Sequence, residues 1–137
     1  MINLVYGANG SGKTQKLINL ANSEIEKTKG LIVYLDRSNN HRLAVDKQIR
    51  FINTDELGIG NTDTFIGLLT GLIAGNYDIN RIYIDNLHKI IGSTDSADIT
   101  EVLKKINKLN DLNDIVFYTV INSEDVSEDL LKDYQLV

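Results

Sequence analysis

The sequence predicts an α/β protein in which a mostly parallel central sheet is covered by helices on both faces. Short apolar, β-branched runs that are typical of buried strands alternate with longer segments whose apolar residues recur at helical spacing. A glycine-rich loop separates the first predicted strand from the first predicted helix. These observations predict a three-layer αβα architecture, and the length of 137 residues predicts one domain over 1–137.

The glycine-rich loop has a recognisable spacing. Gly7, Gly12, Lys13 and Thr14 match G-x-x-x-x-G-K-[ST], the phosphate-binding P-loop or Walker A pattern. Successive amides of such a loop form an anion-binding nest, and the N-terminus of the following helix adds to the attraction. We therefore expect Lys13 to reach the β- and γ-phosphates of a nucleotide and Thr14 to coordinate Mg²⁺, although a turn that binds nothing is the alternative. The predicted phosphate-binding residues are Gly7, Ala8, Asn9, Gly10, Ser11, Gly12, Lys13 and Thr14.

Apolar periodicity predicts the elements around this loop. The strand before it lies at 2–6, and the helix after it has one apolar face. That face consists of Leu17, Ile18, Ala21 and Ile25. Further strands are predicted at 31–35, 50–53, 81–85 and 115–121, with a terminal strand or tail at 134–137. Longer helices are predicted at 62–74 and 97–109, and shorter ones within 37–48 and at 125–133.

The helix predicted at 62–74 carries Gly67, Gly71 and Gly75 at four-residue spacing. Glycine inside a helix costs about 1 kcal/mol relative to alanine, so this stripe requires a cause. We expect close packing of the helix on the sheet, and close contact with another helix or subunit is the alternative.

A carboxylate that holds Mg²⁺ through its water shell is expected beside a P-loop, at the C-terminal end of a neighbouring strand. The segment Arg81-Ile-Tyr-Ile-Asp85 is an apolar strand that ends in aspartate, as in a Walker B sequence. We therefore predict Asp85 and Thr14 as the metal-associated residues, and ATP and Mg²⁺ as the cofactors.

Polar residues that follow two other strands are candidates for catalysis. Asp36 can orient a water or a substrate hydroxyl, because strand ends face the ligand crevice in such sheets; alternatively, it caps its turn with Ser38. Asn122 and Ser123 can contact the γ-phosphate as a sensor, or they form an ordinary turn. Lys13, Asp36 and Asn122 are the predicted catalytic residues.

Composition narrows the function classes. The net charge of −5 argues against non-specific nucleic-acid binding, which depends on neutralising phosphates. The chain has no cysteine and only two histidines, His41 and His88, which we expect at the surface or in turns, so a structural zinc site is not expected. Neither a transmembrane segment nor a signal peptide is evident, and we expect a cytoplasmic protein without membrane contact. We expect the four arginines to be solvated at the surface, and the alternative is that one of them acts as an arginine finger on a γ-phosphate. The four residues are Arg37, Arg42, Arg50 and Arg81.

The order of these elements resembles P-loop NTPases of the RecA-like branch, and the chain also resembles short stand-alone bacterial ATP-binding proteins. The segments that carry the resemblance are 4–14, 32–36, 50–53, 82–87 and 116–122. The resemblance implies that the glycine loop binds phosphate, that Asp85 has the Walker B role, that Asn122 lies near a sensor position, and that the base is adenine. The family's catalytic glutamate has no match, because this sequence has Asp36-Arg37 and Asp85-Asn86 at the relevant strand ends.

Three functions are compatible with these residues. The first is a Mg·ATP-binding protein with slow or partner-stimulated hydrolysis that acts as a switch or assembly subunit. The second is a nucleoside or metabolite kinase in which Asp36 accepts the proton of the acceptor hydroxyl. The third is a non-catalytic interaction protein that bound nucleotide stabilises. A protein partner or self-association is expected in the first and third cases.

Overall fold

A computed structural model describes residues 2–137, which form one six-stranded sheet with all strand pairs parallel. The strands are β1 (Asn3–Gly7), β2 (Leu31–Asp36), β3 (Arg50–Asn53), β4 (Ile79–Ile84), β5 (Val116–Asn122) and β6 (Gln135–Leu136). Their order across the sheet is β3-β2-β4-β5-β1-β6. The α/β class and the parallel sheet predicted from sequence are confirmed.

Helices connect most of these strands. The α-helices are α1 (Lys13–Glu24), α2 (Thr62–Gly75), α3 (Leu87–Ile91) and α4 (Ser96–Leu112). Short 3₁₀ turns lie at Arg42–Ala44, Asp55–Leu57, Ser123–Asp125 and Glu128–Asp133. Among residues 2–137, no helix has the length and hydropathy that crossing a bilayer requires.

Two hydrophobic clusters cover the two faces of the sheet, which gives the three layers predicted from sequence. On one face, Leu17 and Ile18 of α1 pack in a cluster with Val5 and Tyr34 of the strands. On the other face, α2, α3 and α4 share a larger cluster with the strands. Burying a leucine or isoleucine side chain stabilises a fold by about 1.5–3 kcal/mol, so both helical layers are held to the sheet mainly by apolar contacts.

The register of the strands brings their C-terminal ends together. Gly7 at the end of β1 pairs with Asn122 of β5, and Leu35 of β2 pairs with Ile84 of β4. The parallel ladder continues beyond β4, since the Asp85 amide donates to the Leu35 carbonyl at 2.9 Å. The glycine loop and the residues that follow β2, β4 and β5 therefore share one edge of the sheet.

The strand order corrects one expectation. β4, which precedes Asp85, is not the neighbour of β1, because β5 lies between them. The sequence could not reveal this insertion, since β5 follows β4 along the chain by more than thirty residues and strand pairing leaves no local signal.

The helices differ from the sequence predictions in two further respects. The helix α3, of 5 residues, was not predicted because it is too short for a periodic apolar stripe. The glycines of α2 do not pack on the sheet: Gly67, Gly71 and Gly75 are exposed, and a Cβ added at any of them would meet no atom within 4 Å.

Candidate functional site

The glycine loop after β1 adopts a conformation that requires glycine. Gly12 has φ +85° at the position that precedes α1, in the left-handed region that disfavours side chains. A Cβ at Gly7 would lie 2.9 Å from the Ser11 hydroxyl oxygen, so the first glycine permits the tight turn. The loop therefore leads directly into the N-terminus of a 12-residue helix whose first amides have no intrahelical acceptor.

Lys13 lies over this loop although its side chain is charged. It is 8% exposed, and its ammonium group donates a hydrogen bond to the Ala8 carbonyl at 2.5 Å. A nearly buried ammonium next to unpaired helix amides makes this loop strongly attractive to an anion.

Asp85 is the centre of a buried hydrogen-bond network. Its Oδ1 accepts from the Thr14 hydroxyl at 3.2 Å and from the Asn86 amide at 2.8 Å, and its Oδ2 accepts from the Tyr34 hydroxyl at 3.3 Å. Burial is the main cause that raises the pKa of Asp85, and the charge of Asp36 raises it further, while the Thr14, Asn86 and Tyr34 bonds oppose the shift. The carboxylate is thus placed beside Thr14 in a position from which both can bind one Mg²⁺.

Tyr34 is a site residue that sequence reasoning missed. Its ring is fully buried and stacks with Phe51 and Tyr83 at centroid distances of 5.7 and 6.5 Å. Burial and the nearby charge of Asp85 raise the pKa of the Tyr34 hydroxyl, which therefore stays protonated and donates. In the sequence, Tyr34 looks like an ordinary strand residue, and only the fold shows that its hydroxyl reaches Asp85.

Asp36 lies at the same edge of the sheet and is 1% exposed. Its Oδ1 accepts from the Arg37 amide at 2.6 Å and from the Asn86 side chain at 3.0 Å, while its Oδ2 is buried with no hydrogen-bond partner. The predicted turn with Ser38 takes another form, because the Ser38 hydroxyl accepts from the Asn40 amide at 3.3 Å.

The segment after β5 contributes a second residue that the sequence did not indicate. Both carboxylate oxygens of Glu124 accept from the Asn9 amide, at 3.2 and 3.3 Å, across 115 positions of the chain. This bond is the main cause that lowers the pKa of Glu124. Asn122, the predicted sensor, donates its side-chain amide to Asp125 at 3.4 Å. A carboxylate therefore already contacts one loop amide in this structure.

A cleft of about 400 Å³ joins most of these groups. Of the residues predicted from sequence, it is lined by Asn9, Gly10, Gly12, Lys13, Thr14, Asp85 and Asn122. Gly7, Ala8 and Ser11 belong to the same loop but do not line the cleft, and Asp36 lies outside the lining but accepts a hydrogen bond from the lining residue Asn86. The other lining residues, which were not predicted, are Asn86, His88, Lys89 and Val120. A larger groove of about 900 Å³ lies elsewhere, against β3, and contains no residue of the glycine loop.

The histidines and arginines occupy different environments. His88 is half-buried in α3 and lines the cleft, and burial is the main cause that lowers its pKa. The arginines contribute nothing to the lining within the described part of the chain. Arg37 pairs with Asp55 at 3.5 Å, and Arg81 pairs with Glu24 at 3.7 Å. An arginine finger on this cleft would therefore have to come from another molecule.

No protein-family model and no curated protein matches the sequence. Among solved structures, the flagellar accessory protein FlaH from Methanocaldococcus jannaschii is similar, with a TM-score of 0.56 and 14% sequence identity. The match covers 96% of this chain but only 65% of FlaH. The chain has a RecA-like α/β fold. At this sequence identity, the similarity establishes only the arrangement of the helices and strands, so the function has to be inferred from the residues of the site.

Proposed function

We propose that this protein binds Mg·ATP in the cleft at the glycine loop, hydrolyses it slowly or when a partner stimulates it, and acts as a switch or assembly subunit. The observation that carries the proposal is the joint placement of a nearly buried Lys13 on the loop and of Thr14 within 3.2 Å of Asp85. A triphosphate–magnesium complex needs an ammonium group for its phosphates and hard oxygen ligands for its metal, and both are present at one end of one helix.

The cleft volume and chemistry support a nucleotide as the ligand. A volume of about 400 Å³ is within the range of small-molecule pockets, and the lining is mainly polar loop and helix-terminal groups. Adenine as the base rests on the resemblance to RecA-like ATPases. The lack of cysteine favours the cytoplasmic location predicted from sequence.

Slow hydrolysis follows from the groups around Asp85. The next residue, Asn86, cannot accept a proton, and its side chain instead donates to Asp36. Asp36 does not line the cleft and its Oδ1 accepts from this amide, so we expect it to be poorly placed to polarise an attacking water there. A partner that supplies a base or an arginine would accelerate the reaction, which suits a switch or an assembly subunit.

Magnesium dependence tests the metal part of the proposal. We expect ATP affinity, measured by calorimetry, to fall when Mg²⁺ is omitted and to fall about 10-fold in Thr14→Val, because one metal ligand is lost. Thr28→Val, a change of the same type beyond the far end of α1, is the matched control. Equal ATP affinity with and without Mg²⁺ would contradict the assignment of Thr14 and Asp85.

Product analysis separates hydrolysis from phosphoryl transfer. We expect the isolated protein to release phosphate far more slowly than the ~10 s⁻¹ that is typical of enzymes. Release at or above that rate would show that another residue replaces the missing base. ATP-dependent phosphorylation of an added nucleoside or metabolite would instead establish the kinase alternative, in which Asp36 is the base. Binding without any turnover, in the presence of cell extract as well, would favour the non-catalytic interaction protein.

A further inference from the structure

Three potential metal ligands meet at the carboxyl ends of β2 and β4. Asp36, His41 and Asp85 each place one ligand atom so that the three atoms lie within 4.8 Å of one another. Among residues 2–137, this is the one cluster of three or more histidine, cysteine or carboxylate side chains that meets this condition. The ligand types are one imidazole nitrogen and two carboxylate oxygens.

An unpartnered oxygen points into this cluster. The Oδ2 atom of Asp36 is buried without a hydrogen-bond partner, whereas Oδ1 of the same carboxylate accepts two hydrogen bonds. His41 Nδ1 lies 3.8 Å from Oδ2, which is beyond hydrogen-bond distance but within the range of an ion pair if the imidazole is protonated. A buried acceptor without a hydrogen bond destabilises the fold, and more so when it is charged, so this oxygen is available to coordinate a cation.

The neighbouring lysine and arginine side chains do not compensate the two carboxylates of this cluster. Asp85 and Asp36 are each 1% exposed, and each places an oxygen within the 4.8 Å cluster. The cationic groups nearby are engaged elsewhere: Lys13 is bonded to the Ala8 carbonyl, and Arg37 is paired with Asp55. Two buried carboxylates that face each other require a proton or a cation.

Local structure holds His41 in place although the residue is surface-exposed. The turn after β2 is closed by the Arg42 amide, which donates to the Asn39 carbonyl at 3.1 Å, and by the Asn40 amide on the Ser38 hydroxyl. The turn directs the His41 ring back toward the end of β2, while its outer side remains open to solvent at 44% side-chain exposure. An ion can therefore enter from the His41 side.

We propose that Asp36, His41 and Asp85 bind a divalent first-row transition metal ion, at a position distinct from the Mg²⁺ of the nucleotide. Imidazole together with carboxylate suits Zn²⁺, Co²⁺ or Mn²⁺ and distinguishes the site from an all-oxygen magnesium site. Three protein ligands leave a coordination position open for water. The site goes beyond the proposed function and requires no nucleotide.

Titration of the metal-free protein with Co²⁺ and Zn²⁺ tests the site. Protein treated with chelator and kept free of nucleotide should bind one ion, and His41→Ala should weaken this binding at least about 10-fold. His88→Ala, which removes the only other imidazole, should leave it unchanged. The visible absorption of bound Co²⁺ should be present in the wild type and His88→Ala and absent in His41→Ala. Since His41 is exposed, its replacement should preserve the fold, and circular dichroism checks this.

A second variant and a second ligand complete the test. Asp36→Asn should weaken Co²⁺ binding to a similar extent, while Mg·ATP affinity in His41→Ala should equal that of the wild type. Equal Co²⁺ affinity in His41→Ala and the wild type, dependence on His88, or no stoichiometric binding below about 1 mM would overturn the proposal. Failure of ATP binding with intact Co²⁺ binding would remove only the proposed nucleotide function.

Discussion

At the residue scale, the site depends on the environment of Asp85. The carboxylate is buried, and burial alone would favour its protonated form, which cannot serve as a metal-associated anion. Three donors oppose this effect, from Thr14, Tyr34 and the Asn86 amide. The sequence indicated Asp85 and Thr14 through motif spacing, but the contribution of Tyr34 depends on the pairing of β2 with β4 and has no sequence signature.

Asp36→Asn should stabilise the metal-free protein at neutral pH. Asparagine keeps an oxygen that accepts from Arg37 and Asn86, and it removes the charge that acts on Asp85. The pKa of Asp85 is raised in the fold, so its ionised form destabilises the fold. This penalty is absent below the unfolded pKa of about 3.9 and grows as the pH rises through the folded pKa. We expect a gain in Tm of about 3 °C near pH 7 that shrinks toward pH 4, measured by thermal unfolding.

The exposed Asp114→Asn variant is the control for the change in net charge, and its Tm should remain within experimental error of the wild type at both pH values. A loss of stability in Asp36→Asn at neutral pH, or a gain that grows on acidification, would contradict the repulsion between the two buried carboxylates.

Glu124→Gln should strengthen Mg·ATP binding by about two- to fivefold, because it removes a negative charge beside the glycine loop. The effect should decrease with added salt, since Glu124 is exposed and its interactions are screened. Calorimetric titration at low and high salt measures both effects. Glu128→Gln, which changes an exposed carboxylate four residues further along, should have no effect, and weaker binding in Glu124→Gln would mean that this side chain helps to order the loop.

At the element scale, sequence patterns located most helices and strands but not their contacts. The apolar stripe of α2 correctly predicted a helix that covers the sheet, with Phe65 and Leu69 fully buried. Its glycine stripe led to a wrong expectation, because four-residue spacing does not reveal whether a neighbour is present on that side. The helix α3 was missed because five residues that start from Asn86 at φ 55° give no periodic signal.

Gly67→Ala and Gly71→Ala should each stabilise the protein by about 0.5–1 kcal/mol. Both positions lie inside α2 with open space around them, so alanine gains helix propensity without a clash. The control is Gly92→Ala, which should destabilise the protein, because its φ is +71° and a Cβ would lie 2.7 Å from the Gly60 carbonyl oxygen. Chemical denaturation measures the free energies. A loss of stability in Gly67→Ala would point to a tight contact with a second copy of the chain.

At the scale of the whole molecule, parallel pairing explains how distant segments form one site. The glycine loop, Asp36, Asp85 and Glu124 lie at or just beyond the ends of four different strands, and only a common strand direction brings them to one edge of the sheet. The sequence predicted this convergence for the first three, because strands ending in glycine or aspartate are visible as patterns. It did not predict Glu124, which lies two residues beyond β5 in an acidic turn without a motif.

The glycine loop and Asp85 meet although β1 and β4 are not adjacent in the sheet. β5 separates the glycine-loop strand from β4, yet Thr14 and Asp85 are in hydrogen-bond contact. The distance across an intervening strand is spanned because Thr14 lies in the first turn of α1, which reaches over β5. Because the similarity to FlaH is at only 14% sequence identity, the function has to be inferred from the residues of the site.

We propose above that the cleft at the glycine loop binds Mg·ATP through Lys13. Calorimetric titration of the wild type, Lys13→Ala and Lys27→Ala with Mg·ATP tests it most directly, since Lys27 is an exposed lysine beyond the other end of α1. We expect Mg·ATP to bind the wild type and Lys27→Ala, and to bind Lys13→Ala about 10- to 100-fold more weakly, which is the loss expected for a charged hydrogen bond. Binding that Lys13→Ala leaves unchanged, or no binding to the wild type at millimolar ATP, would contradict it.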